Sequence, residues 1–224
     1  MLTAATRSGR TGLIRKLPLV SFEPGERFWP ERESAPFALF PLRGIISLRL
    51  PSPPSRQLEV ALVGPEGFAG LSLLTAFDND PLIPVALTGG EAVIMDPGVL
   101  RASLRTAGFR LAVQKYMRFF VLKLSRLAVC NRIHVIEQIV AGQLLRMQDR
   151  YPVRSFDLTQ ESMAQLLGVR RASISRAAAD LQRSGAIEYN RRGRLIILDR
   201  GKLEGHACAC YRAIKADFDL LTKQ

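Results

Sequence analysis

A chain of 224 residues, 47% hydrophobic and 23% charged, is long enough for one or two domains with a buried core and has ordinary globular composition. It has no run near the ~18 apolar residues of a membrane-spanning helix, and its three cysteines, an odd number, are too few for a disulfide scaffold; a soluble chain in a reducing, cytoplasmic compartment is expected. The formal charge of +12 is concentrated, with nineteen basic against seven acidic residues between 98 and 200, and a positive field gathered in one region points to a polyanion such as nucleic acid, or else to an anionic membrane surface.

Residues 1–22 carry Arg7, Arg10, Arg15 and Lys16 with no acid before Glu23, as a transit peptide does, but they lack the continuous apolar centre of a secretory signal. From there to about residue 97, short apolar runs at 37–40, 44–50, 58–63, 84–87 and 92–95 read as strands. They are separated by turn formers such as Pro51-Ser52-Pro53-Pro54-Ser55 and Asp78-Asn79-Asp80-Pro81, so an antiparallel barrel or sandwich is expected, with room for one helical turn at 67–74.

After Pro97 the composition changes. Residues 99–150 contain no proline and only Gly108 and Gly142, which predicts long helices. Val113, Met117, Phe120, Leu124 and Leu127 are spaced 4, 3, 4 and 3 apart, an a/d seam along which two copies can pair. Phe109, Tyr116, Phe119, Leu122 and Val129 lie off that seam and imply a second buried face. Asn131 is the expected break, followed by an amphipathic helix through Ile133, Ile136, Val140, Leu144 and Leu145 that ends near Tyr151-Pro152.

Residues 159–184 have helix-turn-helix form. Thr159 caps the first helix, Met163, Ala164 and Leu167 face inward, Gly168 supplies a positive φ for the turn, and Ile174, Ala178 and Leu181 form the inner stripe of the second helix. Its outer face is left to Arg171, Ala172, Ser175 and Arg176, the candidate base-reading residues, since an arginine fork matches O6 and N7 of guanine. Thr159, Gln160, Arg170 and Ser173 are better placed to hold phosphates. After Gly185 two short alternating runs flank Asn190-Arg191-Arg192-Gly193-Arg194, a hairpin whose basic tip would bring Arg191, Arg192 and Arg194 to the DNA backbone.

With these motifs the sequence resembles bacterial transcriptional regulators of the Crp/Fnr superfamily, of the cyclic-AMP receptor protein type. The likeness covers nearly the whole chain: an opening Phe22-Glu23-Pro24-Gly25-Glu26, a Gly64-Pro65-Glu66-Gly67-Phe68-Ala69-Gly70 turn, a long helix, then the winged helix-turn-helix. It implies an α+β fold with an N-terminal antiparallel β-roll (1–98), a dimerisation helix (99–131) and a C-terminal winged helix-turn-helix domain (132–224). It further implies a non-enzymatic homodimer binding palindromic double-stranded DNA, with RNA polymerase a possible further partner; a non-specific nucleic-acid binder or a regulator answering to an unidentified small molecule are the alternatives. Ala172 departs from the glutamate common among relatives, and a methyl group cannot accept from cytosine N4, so a different DNA site is expected.

Relatives that bind a cyclic nucleotide use a glutamate for the ribose and an arginine for the phosphate. Here Leu71 follows Gly70, and residues 57–97 contain six acids and no lysine or arginine, so control by cyclic AMP is not expected. No cysteine lies in the N-terminal half for an iron–sulfur cluster, and His134 and His206 lie outside it, so no cofactor is expected. His206, Cys208 and Cys210 read as one helix that puts 208 about 200° from the face of the other two, which argues against a metal site; Cys130 is read as helix packing.

Overall fold

The structure is a computed structural model that describes residues 17–30, 35–52, 56–75, 80–190 and 193–223. The N-terminal half is built from two three-stranded antiparallel sheets. In the first, β6 (Gly90–Met95) lies between β1 (Leu19–Phe22) and β2 (Ala38–Arg43); in the second, β3 (Ile46–Ser52) lies between β4 (Arg56–Val63) and β5 (Ile83–Ala86). Five of these six strands follow the expected apolar runs. β1 is the addition: its alternation is short, and only pairing with β6 makes it a strand. A single 3-10 turn follows Gly70 at Leu71–Leu74.

The helical stretch after Pro97 is cut twice. Helix α1 (Pro97–Leu104) is capped by Asp96, whose carboxylate accepts from the Gly98 N–H at 2.7 Å; α2 (Ala107–Ile133) is the long helix, and α3 (Ile136–Arg150) follows. Asn131 lies inside α2, not at its end. The break comes at His134 and Val135, which take extended backbone conformations without a glycine or proline to announce it.

One face of α2, with Phe109, Val113, Tyr116, Phe119, Phe120, Lys123 and Cys130, is buried on its own chain. Phe40 stacks on Phe68, with Phe109 against Phe40, Tyr116 against Phe68 and Phe120 against Tyr116, all at centroid distances of 4.9–6.4 Å. This chain of rings forms one core with the sheets. The residues of the expected pairing seam belong to it: Val113 and Phe120 are buried, and Met117, Leu124 and Leu127 pack partly buried against the same core. The seam thus faces the chain's own core while Met117, Leu124 and Leu127 keep part of their surface open, and periodicity marks such an apolar face without saying what covers it. The apolar residues of α2 left open are Leu111, Val121, Val129 and Ile133, with Val135 at the joint.

The second core gathers α3, the helix-turn-helix and its small sheet, and draws in Ile45 and Leu62 from the β-roll. Sheet β7 (Ser155–Phe156), β9 (Leu195–Ile197), β8 (Ile187–Tyr189) sits beside helices α4 (Gln160–Leu167) and α5 (Arg171–Arg183). Two helices close the chain, α6 (Arg200–His206) and α7 (Ala209–Thr222), the latter lying along α2 with Phe218 against Phe119 and Arg126 paired to Asp217 at 3.0 Å. No helix among the described residues is long and apolar enough to cross a membrane.

Between the two cores lies a buried polar seam. Glu66 meets Arg150 at 2.7 Å with both side chains 1% exposed, Lys123 donates to the Leu62 carbonyl at 2.9 Å, and Gln143 bridges Glu59 (2.6 Å) and Arg146 (2.7 Å). Burial, then the Arg150 cation, lowers the Lys123 pKa to about 7.

Candidate nucleic-acid interface

Local chemistry shapes the two helices of the motif. The Thr159 hydroxyl accepts the Ser162 N–H at 3.0 Å and starts α4. Gly168 ends it with φ 68°, a left-handed conformation that glycine reaches without steric cost. Met163, Ala164 and Leu166 are buried on α4, and Ile174, Ala177, Ala178 and Leu181 on α5. Leu166, not the expected Leu167, is the buried leucine at that end of α4, Leu167 being only partly buried.

The core stripe of α5 leaves Arg171, Ala172 and Arg176 exposed on the opposite side. Arg171 is 69% exposed and only loosely paired to Glu161, at 3.8 Å. Arg170 stands at the N-cap without a side-chain cap for the first turn of α5, so main-chain N–H groups there are open to an anion. Ser175 is half-buried and donates to Gln160 Oε1 at 2.7 Å. This bond ties α4 to α5. Ser173 is likewise half-buried.

The wing meets the start of α4. Gly193, at φ 78°, comes so close to Thr159 that a Cβ there would lie 2.9 Å from Thr159 Cγ2, and Arg194 reaches Asp157 at 3.3 Å while 50% exposed. Arg191 and Arg192, expected at the wing tip, lie outside the described residues.

One relation is not readable from the local motif. α4 packs against β4, and a Cβ on Gly168 would lie 2.9 Å from Leu58 Cδ2. An open cleft of about 1170 Å³ results, with Arg170 and Arg171 on one side and Arg27 and Arg49 of the β-roll on the other. Asp157 and Glu161 line it too. The charge count of residues 98–200 flagged one wall; Arg27 and Arg49, from the near-neutral half, had no signal of their own.

In the β-roll, Leu71 and Leu73 of the turn after Gly70 pack partly buried against the core, and the buried Asp80 accepts from the Ser72 hydroxyl at 3.0 Å and the Leu82 N–H at 3.0 Å. The acid that faces this turn is thus already bonded within the chain.

The C-terminal helix expected across 206–210 is interrupted. α6 stops at His206, Ala207 and Cys208 are extended, and Cys208 becomes the N-cap of α7. His206 pairs with Glu137 at 2.5 Å, while Cys208 and Cys210 turn toward Cys130 and His134. Cys130 is therefore more than helix packing; His206 does stay apart from Cys208 and Cys210, as expected, but because the segment is two helices and not because of the face it would take on one.

Residues 138–205 match the family model of the Crp-like helix-turn-helix domain. A CRP-like cAMP-activated global transcriptional regulator of Mycobacterium tuberculosis is 27% identical over 202 residues, covering 84% of this chain and 88% of that protein. Among solved structures, FixK2 of Bradyrhizobium japonicum superposes with TM-score 0.71 at 17% identity, covering 86% of this chain and 98% of its own. A CRP-family transcriptional regulator of Thermus thermophilus gives 0.70 at 21% identity, covering 84% and 96%. At these identities the solved structures establish likeness of fold.

Proposed function

We propose that the chain is a DNA-binding transcriptional regulator of the Crp/Fnr superfamily that acts as a homodimer on palindromic operators, without control by cyclic AMP. The observation that carries this reading is the division of α5, whose Ile174, Ala177, Ala178 and Leu181 are buried while Arg171, Ala172 and Arg176 are exposed on the other side. Arg171 and Arg176 each read a guanine, Ala172 contacts a thymine methyl, and Arg170, Thr159 and the wing arginines hold the backbone.

Pairing along the open face of α2, which carries Leu111, Val121, Val129 and Ile133, supports a dimer whose recognition helices lie about one DNA turn, roughly 34 Å, apart. Arg170 and Arg171 share their cleft with the β-roll, and a space of about 1170 Å³ is far smaller than one turn of duplex. Engagement therefore calls for α4 and α5 to move off β4. Independence from cyclic AMP is supported by the six acids and absent cations of residues 57–97, although the mycobacterial relative is described as cAMP-activated.

Selection of bound sequences from random duplex DNA by the purified protein tests the proposal: an inverted repeat is expected, and its absence would leave a non-specific binder. On the recovered site, Arg171→Ala or Arg176→Ala should relax preference at one base of each half-site by about 1–3 kcal/mol, while Arg194→Ala should weaken all sequences alike.

A further inference from the structure

The end of α2 and the start of α7 bring together four side chains with metal-ligand chemistry. Cys130 lies in the last turn of α2, His134 one turn on at its C-cap, Cys208 at the N-cap of α7 and Cys210 in its first turn. Their ligand atoms all lie within 4.8 Å of one another, with Cys130 Sγ 3.5 Å from Cys208 Sγ and Cys210 Sγ 3.8 Å from His134 Nδ1. Zinc bonds of about 2.3 Å to sulfur and 2.0–2.1 Å to nitrogen, at tetrahedral angles, place ligand atoms about 3.5–3.8 Å apart. We infer that Cys130, His134, Cys208 and Cys210 form a tetrahedral Cys₃His site for one Zn²⁺ ion, pinning the C-terminal helix to the joint between the long helix and the DNA-binding unit.

The donor set selects the ion. Three thiolates and an imidazole suit zinc and do not suit calcium or magnesium, which take oxygen ligands. An iron–sulfur cluster would need its thiolates spread around a body of several atoms, wider than these contacts allow. Each thiol gives up its proton to solvent as its sulfur binds, and three thiolates on a dication leave one net negative charge. Two cations act on the sulfurs to offset it: Arg146, buried beside Cys130 and Cys208, and Arg126, on the Cys210 side. Cys130 and Cys208 are buried, while Cys210 and His134 are only half-buried and leave a route for the ion.

His134 is also where α2 ends and the chain turns into α3. A metal bound there fixes the angle at the joint about which the DNA-binding unit would leave β4, so zinc occupancy should govern DNA affinity. This consequence rests on the function proposed above; the site itself does not.

The test uses the full chain, stripped of metal with a chelator under a phosphine reductant and titrated with Co²⁺. Expected are one Co²⁺ per chain, the intense ligand-field bands of tetrahedral cobalt with thiolate-to-cobalt charge transfer, and displacement by Zn²⁺. Cys210→Ser and His134→Ala should each weaken binding at least tenfold, while His206→Ala should leave it unchanged. Absence of stoichiometric binding, a pale octahedral spectrum, or unchanged affinity in both variants overturns the site. Should a variant misfold, as far-UV circular dichroism would show, the wild-type spectrum and the zinc content of the protein as purified decide. DNA affinity is measured in parallel. Loss on chelation with recovery on Zn²⁺ supports control by metal, and unchanged affinity overturns that control while leaving the site standing. A cobalt spectrum without any DNA binding counts against the regulatory function alone.

Discussion

Replacing Glu66 by glutamine is expected to destabilise the chain by about 3–5 kcal/mol, a large part of the 5–15 kcal/mol that holds a typical domain. Glu66 and Arg150 meet at 2.7 Å with side chains 1% exposed, and at an effective dielectric of about 20 their attraction is about 6 kcal/mol. Desolvation of the two ions offsets most of that, so the pair as a whole is close to neutral. The single substitution is different, because Arg150 stays buried and charged. Its remaining contacts, a hydrogen bond to the Arg146 carbonyl at 2.9 Å and the face of Phe218 at 5.1 Å, carry no full negative charge, and its Nη2 already lacks a hydrogen-bond partner. The double variant Glu66→Leu/Arg150→Met removes both ions; its losses are the bond from Arg150 Nη1 to the Arg146 carbonyl and the Gly64 N–H that Glu66 accepts at 3.1 Å, the latter costing about 1–3 kcal/mol. Urea unfolding of the wild type, Glu66→Leu, Arg150→Met and the double variant, followed by far-UV circular dichroism and by the single tryptophan, Trp29, buried in the β-roll core, should therefore give a coupling energy of at least about 2 kcal/mol. A double variant destabilised by the sum of the singles, or a Glu66→Gln effect below about 1 kcal/mol, would refute the reasoning.

Lys123 supplies a pH signature. Its folded pKa is lowered to about 7 while an exposed lysine titrates near 10.4, so above pH 7 the unfolded chain binds a proton that the folded one lacks. Stability should rise with pH by about 1.4 kcal/mol per unit relative to Lys123→Met between pH 7 and 8.5, the deficit being full below 7; parallel curves for the two proteins would show the lysine is not so perturbed. Gly67→Ala should destabilise by at least about 1–3 kcal/mol, because its Cβ would lie 2.1 Å from Tyr116 Cε2; unchanged urea midpoints would mean the ring has room to move. Val129→Glu, on the open face of α2, should turn a dimer into a monomer by analytical ultracentrifugation, whereas Leu127→Ala, partly buried in the chain's own core, should reduce stability first; the reverse pattern would restore pairing along the Val113–Leu127 seam.

The β-roll strands and the helix-turn-helix were legible because their signals are local. Apolar runs end at turn formers, Thr159 caps its own helix, and Gly168 takes the one conformation that ends it. The fate of α2 was not legible in the same way. Val113, Met117, Phe120, Leu124 and Leu127 repeat as a pairing seam does, and the same repeat serves a helix laid on a sheet. The halt at His206 comes one residue after Gly205, but the N-cap at Cys208 has no glycine or proline beside it, and the H-x-C-x-C run read as a continuous helix.

Identity of fold and the chemistry of the recognition helix were thus determined by the amino-acid order alone, since capping, periodicity and a positive φ act within one or two turns. The tertiary structure decided which face of α2 stays open, that Ser175 bonds to Gln160, and that Cys130 and His134 meet Cys208 and Cys210 across some seventy-eight positions. The reason is that such contacts depend on how whole elements pack, and burying two cores sets α7 along α2 whatever the spacing of the residues it brings together.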